Sequence, residues 1–154
     1  MDKIIRGRVW KFGDCLDSGA IAGVMAGADP EFHKKVQPGD IIVAGINFGM
    51  GSSAEHAPRS LRDAGVAAVV AESISNIYLR TLINLGLPAI ECSGISAMVE
   101  QGDELEIDLA SGSARNITRG TTSSFPAFSE HALAVLERGG LIPFLKSSLA
   151  GKSL

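Results

Sequence analysis

Val43-Ala-Gly-Ile-Asn-Phe-Gly-Met-Gly-Ser-Ser-Ala-Glu-His-Ala-Pro58 is the stretch that decides how this chain is read. An apolar run, Ile41-Ile42-Val43-Ala44, stops at a loop carrying Gly45, Gly49 and Gly51, and a helix-like pattern starts after Ser52 and Ser53. Glycine lets a backbone take positive φ and lets a ligand come close. Unpaired N–H groups at the start of a helix face any anion placed there. The same residues support a purely structural reading. Ser52-x-x-Glu55 is a capping box, in which the serine accepts from the Glu55 N–H and the glutamate reaches back. Spacing alone does not separate a site from a cap.

Working outward, Ile41–Ala44 reads as a short buried strand, 53–64 as a helix with Ala57, Leu61 and Ala64 inward, and Val66–Ala71 as a second buried strand. Ile74, Ile77, Tyr78, Thr81, Leu82 and Leu85 recur with helical spacing, with Ser73 as expected N-cap and Gly86 as stop. Ala89–Cys92 is a further strand. Leu105, Ile107 and Leu109 alternate with polar residues and turn at Ser111-Gly112 into Ala114–Thr118, a hairpin. Phe128, Ala132, Val135 and Leu136 mark a helix closed by Gly139-Gly140, and Leu141–Leu149 a terminal helix. Residues 3–12 form a strand around Gly7, while 14–39 is rich in turn chemistry. Strands alternating with helices define an α/β domain, here expected to be a single domain over residues 1–154.

At 154 residues the chain can bury a substantial core. A formal net charge of −3 gives no footprint for nucleic acid or an anionic membrane. Met1–Arg6 leads into a strand without a signal-like apolar segment, and no run is long enough to span a membrane. Cys15 and Cys92, two isolated thiols, fit a reducing cytoplasm and are too few for an iron–sulfur cluster. Lys34-Lys35 and His33 read as solvated, and His131 as a surface residue. Cys92 reads as a small core residue. Asp14 and Asp17 read as acceptors for nearby backbone rather than cation ligands. Glu55 and His56 point about 100° apart on a helix, so they do not form an acid–base pair.

Gly-Asp-Ile-Ile-Val-Ala-Gly-x-Asn-Phe-Gly-x-Gly-Ser-Ser-x-Glu-His-Ala-Pro, followed by Val69-Val-Ala-Glu-Ser73 and Ile83-Asn-Leu-Gly-Leu-Pro88, resembles the small subunit of 3-isopropylmalate dehydratase. It equally resembles the homoaconitase small subunit and the swivelling C-terminal domain of aconitases. Gly7-Arg-Val-Trp-Lys-Phe-Gly-Asp14 and Gly139-Gly-Leu-Ile-Pro-Phe144 extend the likeness over most of the chain. The resemblance implies the compact swivelling β/β/α domain of the aconitase C-terminal type. It implies a hydro-lyase subunit that works with a separate large subunit carrying a [4Fe–4S] cluster, on a small hydroxy-carboxylic acid. By position in the motif, Ser52 is the expected catalytic base. Ser53, Gly51, the Ala54 backbone and Arg80 are the expected substrate contacts.

The chain departs from the family pattern in three places. The motif arginine, able to hold a carboxylate through two parallel hydrogen bonds, is Ala54 here. The Asp-Thr-Asp stretch near the start has become Asp17-Ser-Gly19, and the specificity loop that follows it is largely absent before Met25. Asn76 replaces an arginine, while Arg80 keeps the other. These departures predict altered substrate preference in an active enzyme. The alternatives are a catalytically silent paralogue and a small-carboxylate binding module of the same fold. An adjacent gene for a cluster-binding large subunit would favour the enzyme.

Overall fold

The computed structural model describes residues 3–16, 21, 25, 29–49 and 56–152, with side chains omitted at 56–58 and 150–152. In chain order the elements are β1 (Ile4–Lys11), α1 (Phe32–Lys35), β2 (Ile41–Ala44), α2 (His56–Asp63), β3 (Ala68–Ala71), α3 (Asn76–Asn84) and β4 (Ala89–Glu91). Then come α4 (Ile95–Met98), β5 (Glu104–Asp108), β6 (Ser113–Asn116), β7 (Thr121–Ser124), α5 (Glu130–Glu137) and α6 (Leu141–Lys152). The seven strands form one sheet in the order β4-β3-β2-β1-β5-β6-β7. β1 to β4 are parallel, and β5 joins β1 antiparallel to begin a meander through β7.

Side-chain alternation explains the layers. Ile42 and Ala44 on β2, with Val69 and Ala71 on β3, face a helix layer that includes Phe32, Leu61, Tyr78 and Leu82. Their neighbours Ile41, Val43, Ala68 and Val70 face the opposite way, onto Leu105, Ile107, Leu109 and Ala114 of the meander and onto Ile95, Phe125, Leu133 and Leu136. The sheet therefore curls into a half-barrel around its own apolar face. Strands β2 and β3 are buried on both faces, which is why they read as unbroken apolar runs.

One close approach sets the start of the parallel half, and a glycine ends its second long helix. A Cβ at Gly7 would lie 2.0 Å from the Gly39 carbonyl oxygen, so the turn into β2 packs directly on β1. Gly86, with φ 85°, ends α3 as its position after Asn84-Leu85 predicts.

Two expectations are corrected, and three short elements had no sequence signal. Ser73 does not cap α3: Ser75 holds the N-cap position without a side-chain bond, because the backbone is still paired to the neighbouring loop at Phe48–Ile74. Ile77 is 58% exposed, since Tyr78 and Leu82 define the inward face and Ile77 sits about 100° away. β7 has the sequence Thr-Thr-Ser-Ser, with no apolar alternation to announce it, and α4 is too short for a periodicity. Within the irregular 14–39 stretch, α1 forms one turn of helix and leaves His33 exposed.

Candidate functional site

The parallel strands deliver their carboxyl ends to one pole, where ligands of open α/β sheets bind. β2 runs into the glycine loop, β3 into Glu72–Ser75, β4 into Cys92–Gly94, and β1 into Phe12–Leu16. The loop's N–H groups are accounted for one by one. Gly45 donates to the Gly13 carbonyl at 3.1 Å and Ile46 to Asp14 Oδ1 at 3.0 Å. Asn47 donates to Ser73 Oγ at 2.9 Å, Phe48 to the Ser73 carbonyl at 3.0 Å, and Gly49 to the Leu16 carbonyl at 2.7 Å. Ser75 N–H returns a bond to the Phe48 carbonyl at 3.0 Å, and Cys15 N–H one to the Ile46 carbonyl at 2.8 Å. Asn47 takes φ 58°, the left-handed region that asparagine tolerates better than most residues.

Asp14 therefore is not a local acceptor. Its carboxylate reaches a residue 32 positions along the chain. A Cβ on Gly45 would lie 1.6 Å from Asp14 Oδ1, so the carboxylate rests on the Gly45 α-carbon. Two further carboxylates at the pole also bind backbone. Glu72 takes the N–H groups of Gly94 and Ser96, at 2.8 and 2.7 Å, and Glu91 that of Ile74 at 3.0 Å. These acids fasten the connections to one another.

Gly51, Ser52, Ser53, Ala54 and Glu55 lie outside the described residues, as does Asp17, and the side chain of His56 is likewise outside. Arg80 is described: it is exposed on α3, five residues beyond Ser75, or about 7 Å along the axis. It shares the outward face of α3 with Ile77 and Asn84. Asp14, Glu72 and Ser73 stand inside motifs quoted above, yet their partners are remote in sequence and no local pattern names them.

A cavity of about 240 Å³ lies elsewhere, on the open edge at β4, lined by Leu79, Ile83, Ile90, Phe125 and Phe128 with Glu91 at its margin. It is apolar and contains none of the loop residues, so it does not compete as the site of acid chemistry.

The residues do not fit an iron–sulfur cluster. Cys92 is fully buried, its thiol pushed up by burial, and sits in the core cluster with Ile95 and Leu105. Cys15 is exposed beside the loop, with its Sγ 3.9 Å from Asn47 Nδ2. Two thiols so differently placed supply fewer ligands than such a cluster takes.

Fold and site together define a half-barrel α/β domain that presents a fastened glycine loop at the carboxyl pole of its parallel strands. A family model described as the aconitase C-terminal domain matches residues 22–94. The isopropylmalate/citramalate isomerase small subunit of Methanocaldococcus jannaschii is 49% identical, with 97% of this chain and 98% of that protein covered. The methanogen homoaconitase small subunit of Methanothermobacter thermautotrophicus is 46% identical over 92% of this chain and 91% of that one. The crystal structure of 3-isopropylmalate dehydratase from Methanocaldococcus jannaschii superposes with a TM-score of 0.90 at 36% identity, covering 97% and 98% of the two chains. The chain belongs to the family of aconitase-type hydro-lyase small subunits.

Proposed function

We propose that this chain is the small subunit of a cytoplasmic hydro-lyase that dehydrates and rehydrates a small hydroxy-carboxylic acid. Its named relatives are small subunits of isopropylmalate, citramalate and homoaconitase-type enzymes, which points to a larger partner. That partner would carry the [4Fe–4S] cluster, whose chemistry is Lewis-acid activation of the substrate hydroxyl. Among the described residues no helix is long and apolar enough to cross a membrane.

In this reading Ser52 removes the proton from the carbon beside a carboxylate. A serine alkoxide is inaccessible in neutral water. Backbone N–H groups at the start of a helix, in a cleft closed by the partner, supply the electrostatic stabilisation it needs. Ser53 and the backbone at Gly51 and Ala54 hold the substrate carboxylate, with Arg80 as a more distant cation. The observation that carries the proposal is the fastened loop itself: every N–H from Gly45 to Gly49 is bonded to a neighbouring connection, two residues ahead of Gly51 in the chain.

Reconstitution with a cluster-bearing large subunit tests it. Turnover of a hydroxy acid that requires both chains and disappears in Ser52→Ala supports the assignment. A complex that forms but turns over no hydroxy acid supports the silent paralogue.

A further inference from the structure

We infer that the slot at the open edge of β4 receives an extended segment of the partner large subunit, an inference that rests on the two-subunit reading proposed above. β4 is the last strand of the sheet and pairs with β3 alone among the strands. Val69 N–H donates to the Pro88 carbonyl at 2.9 Å, and Cys92 N–H to the Ala71 carbonyl at 2.8 Å. With Val69 opposite Ala89 and Ala71 opposite Glu91, the peptide groups of Pro88, Ile90 and Cys92 turn toward β3. Those of Ala89 and Glu91 turn the other way, into the slot. Among the described residues, none bonds to their N–H or carbonyl groups. Ala89 is 2% exposed, and buried peptide groups are paired in nearly all folded proteins. An unpaired strand edge is a template for another strand.

The walls decide what fits. Leu79 and Ile83 of α3 form one wall, and Phe125, Phe128 and Ala132 the other. The second wall is fixed: the Phe125 and Phe128 N–H groups donate to the Gly112 and Leu109 carbonyls, and the two rings meet edge-on with centroids 6.4 Å apart. Beyond the ends of α3 and α5 the chain closes up, since a Cβ on Gly86 would lie 2.5 Å from the Gly139 carbonyl oxygen. The slot is thus stopped at the Pro88 end and opens toward Glu91, at the pole that carries the glycine loop. Its floor is recessed, with Ile90 1% exposed, so the identical edge of a second copy cannot reach it. A single strand, about 4.8 Å away in the plane of the sheet, can. A free apolar molecule would fill the space and leave the Ala89 and Glu91 groups unpaired. An extended peptide meets both needs, its alternate side chains turned to the two walls. The mouth lies at the pole where the large subunit closes the cleft in the proposed reading, so that subunit is the source.

Amide hydrogen exchange of the chain, alone and in complex with the cluster-bearing large subunit, tests it. In the free chain the Ala89 and Glu91 amides should exchange faster than that of Ile90, which faces β3. In the complex both should slow by at least about tenfold while Ile90 changes little. Ala132→Phe fills the slot from α5 without touching the strand, and should weaken the complex by at least about tenfold at an unchanged melting temperature. A complex in which Ala89 and Glu91 exchange as in the free chain overturns the inference, and so does a folded Ala132→Phe chain that binds with wild-type affinity. Should that variant fail to fold, exchange in the wild-type complex decides alone. Protection that is already present in the free chain and grows with its concentration would put a second copy on the edge and overturn the large subunit as occupant. Two chains that form no complex at all would remove the two-subunit reading, and this inference with it.

Discussion

The α-carbon of Gly49 lies against the ring of Tyr78, so closely that a Cβ there would stand 2.3 Å from the ring Cγ. Gly49 takes φ 79°, and Tyr78 is held edge-on to Phe48 with ring centroids 6.0 Å apart. The glycine loop is thus seated on α3 as well as bonded to the β1 and β3 connections.

Gly49→Ala should therefore be among the costlier single substitutions outside the core strands. Positive φ costs an alanine about 1–2 kcal/mol, and forcing a methyl into a packed ring adds about 1–3 kcal/mol. Gly94→Ala is the control, since Gly94 has φ 85° but nothing within 4 Å of a Cβ. Thermal melts should place Gly49→Ala well below Gly94→Ala, at roughly 2–4 °C per kcal/mol. Equal melting temperatures would mean that Tyr78 yields without cost.

Acid sensitivity should trace to Asp103. This carboxylate is buried just ahead of β5, against the end of β6 and the turn joining β6 and β7. Its Oδ2 accepts from Asn116 Nδ2 at 2.9 Å, from the Glu100 N–H at 2.9 Å and from Arg119 Nε at 2.8 Å. The Asn116 bond leads, with the Glu100 N–H and the Arg119 guanidinium, in lowering its pKa to about 2 against the opposing effect of burial. A pKa lower in the folded than in the unfolded chain gives stability that is complete above the unfolded value near 4 and is lost as pH falls through about 2. Urea melts between pH 5 and pH 2 should show this loss, and Asp103→Asn should flatten it. A variant with the wild-type slope would assign the acid transition to other carboxylates, Glu106 beside Arg6 among them.

How much of this was legible in the sequence depends on how local each determinant is. β2, β3 and α3 announce themselves, because burial on two faces leaves an unbroken apolar run and burial on one face leaves a helical period. The β5–β6 hairpin is equally plain, with Gly112 at φ 76° completing its turn. β7 is invisible for the converse reason: Thr121–Ser124 lies at the sheet's edge and its side chains carry no hydrophobic message. In the site, the glycines and serines mark the loop, and the resemblance to a known family assigns Ser52. What fastens the loop could not be read. The Asp14–Ile46 and Ser73–Asn47 bonds join residues 32 and 26 positions apart, and nothing in either neighbourhood distinguishes them from a turn acceptor or a helix cap.

Ser52→Ala separates the two roles open to that hydroxyl. A lost cap costs about 1 kcal/mol of stability and leaves chemistry alone. A lost base lowers kcat by orders of magnitude, with a similarly small change in melting temperature. Steady-state rates of the reconstituted complex, set beside thermal melts of the isolated chain, decide between them. A destabilised variant with full turnover would make Ser52 a cap and the family likeness structural only.

The purified chain alone should show neither cluster absorbance near the visible sulfur-to-iron bands nor dehydratase activity. Two cysteines are present in the whole sequence, and Cys92 is locked in the core. Reconstitution with iron and sulfide, followed by spectroscopy and a hydration assay, checks this. Cluster-dependent turnover by the isolated polypeptide would sink the two-subunit reading.

Ala54 bears on substrate choice. An arginine at that motif position grips a carboxylate through two parallel hydrogen bonds, and alanine offers only its backbone. The family resemblance implies that Gly19 and the shortened stretch before Met25 offer fewer specificity contacts as well. Among the described residues, the carboxylates of Asp14, Glu72 and Glu91 at the same pole already accept from backbone N–H groups and add no positive charge. The reconstituted enzyme should accordingly turn over isopropylmalate, homocitrate and citrate poorly, and a hydroxy acid with fewer or shorter acidic arms better. Ala54→Arg should shift preference back toward the more anionic acids, chiefly through KM, since the added contact is made in ground and transition states alike. A panel of hydroxy acids against wild type and Ala54→Arg gives the comparison. Efficient wild-type turnover of isopropylmalate would refute altered specificity and show that the partner subunit supplies the missing cation.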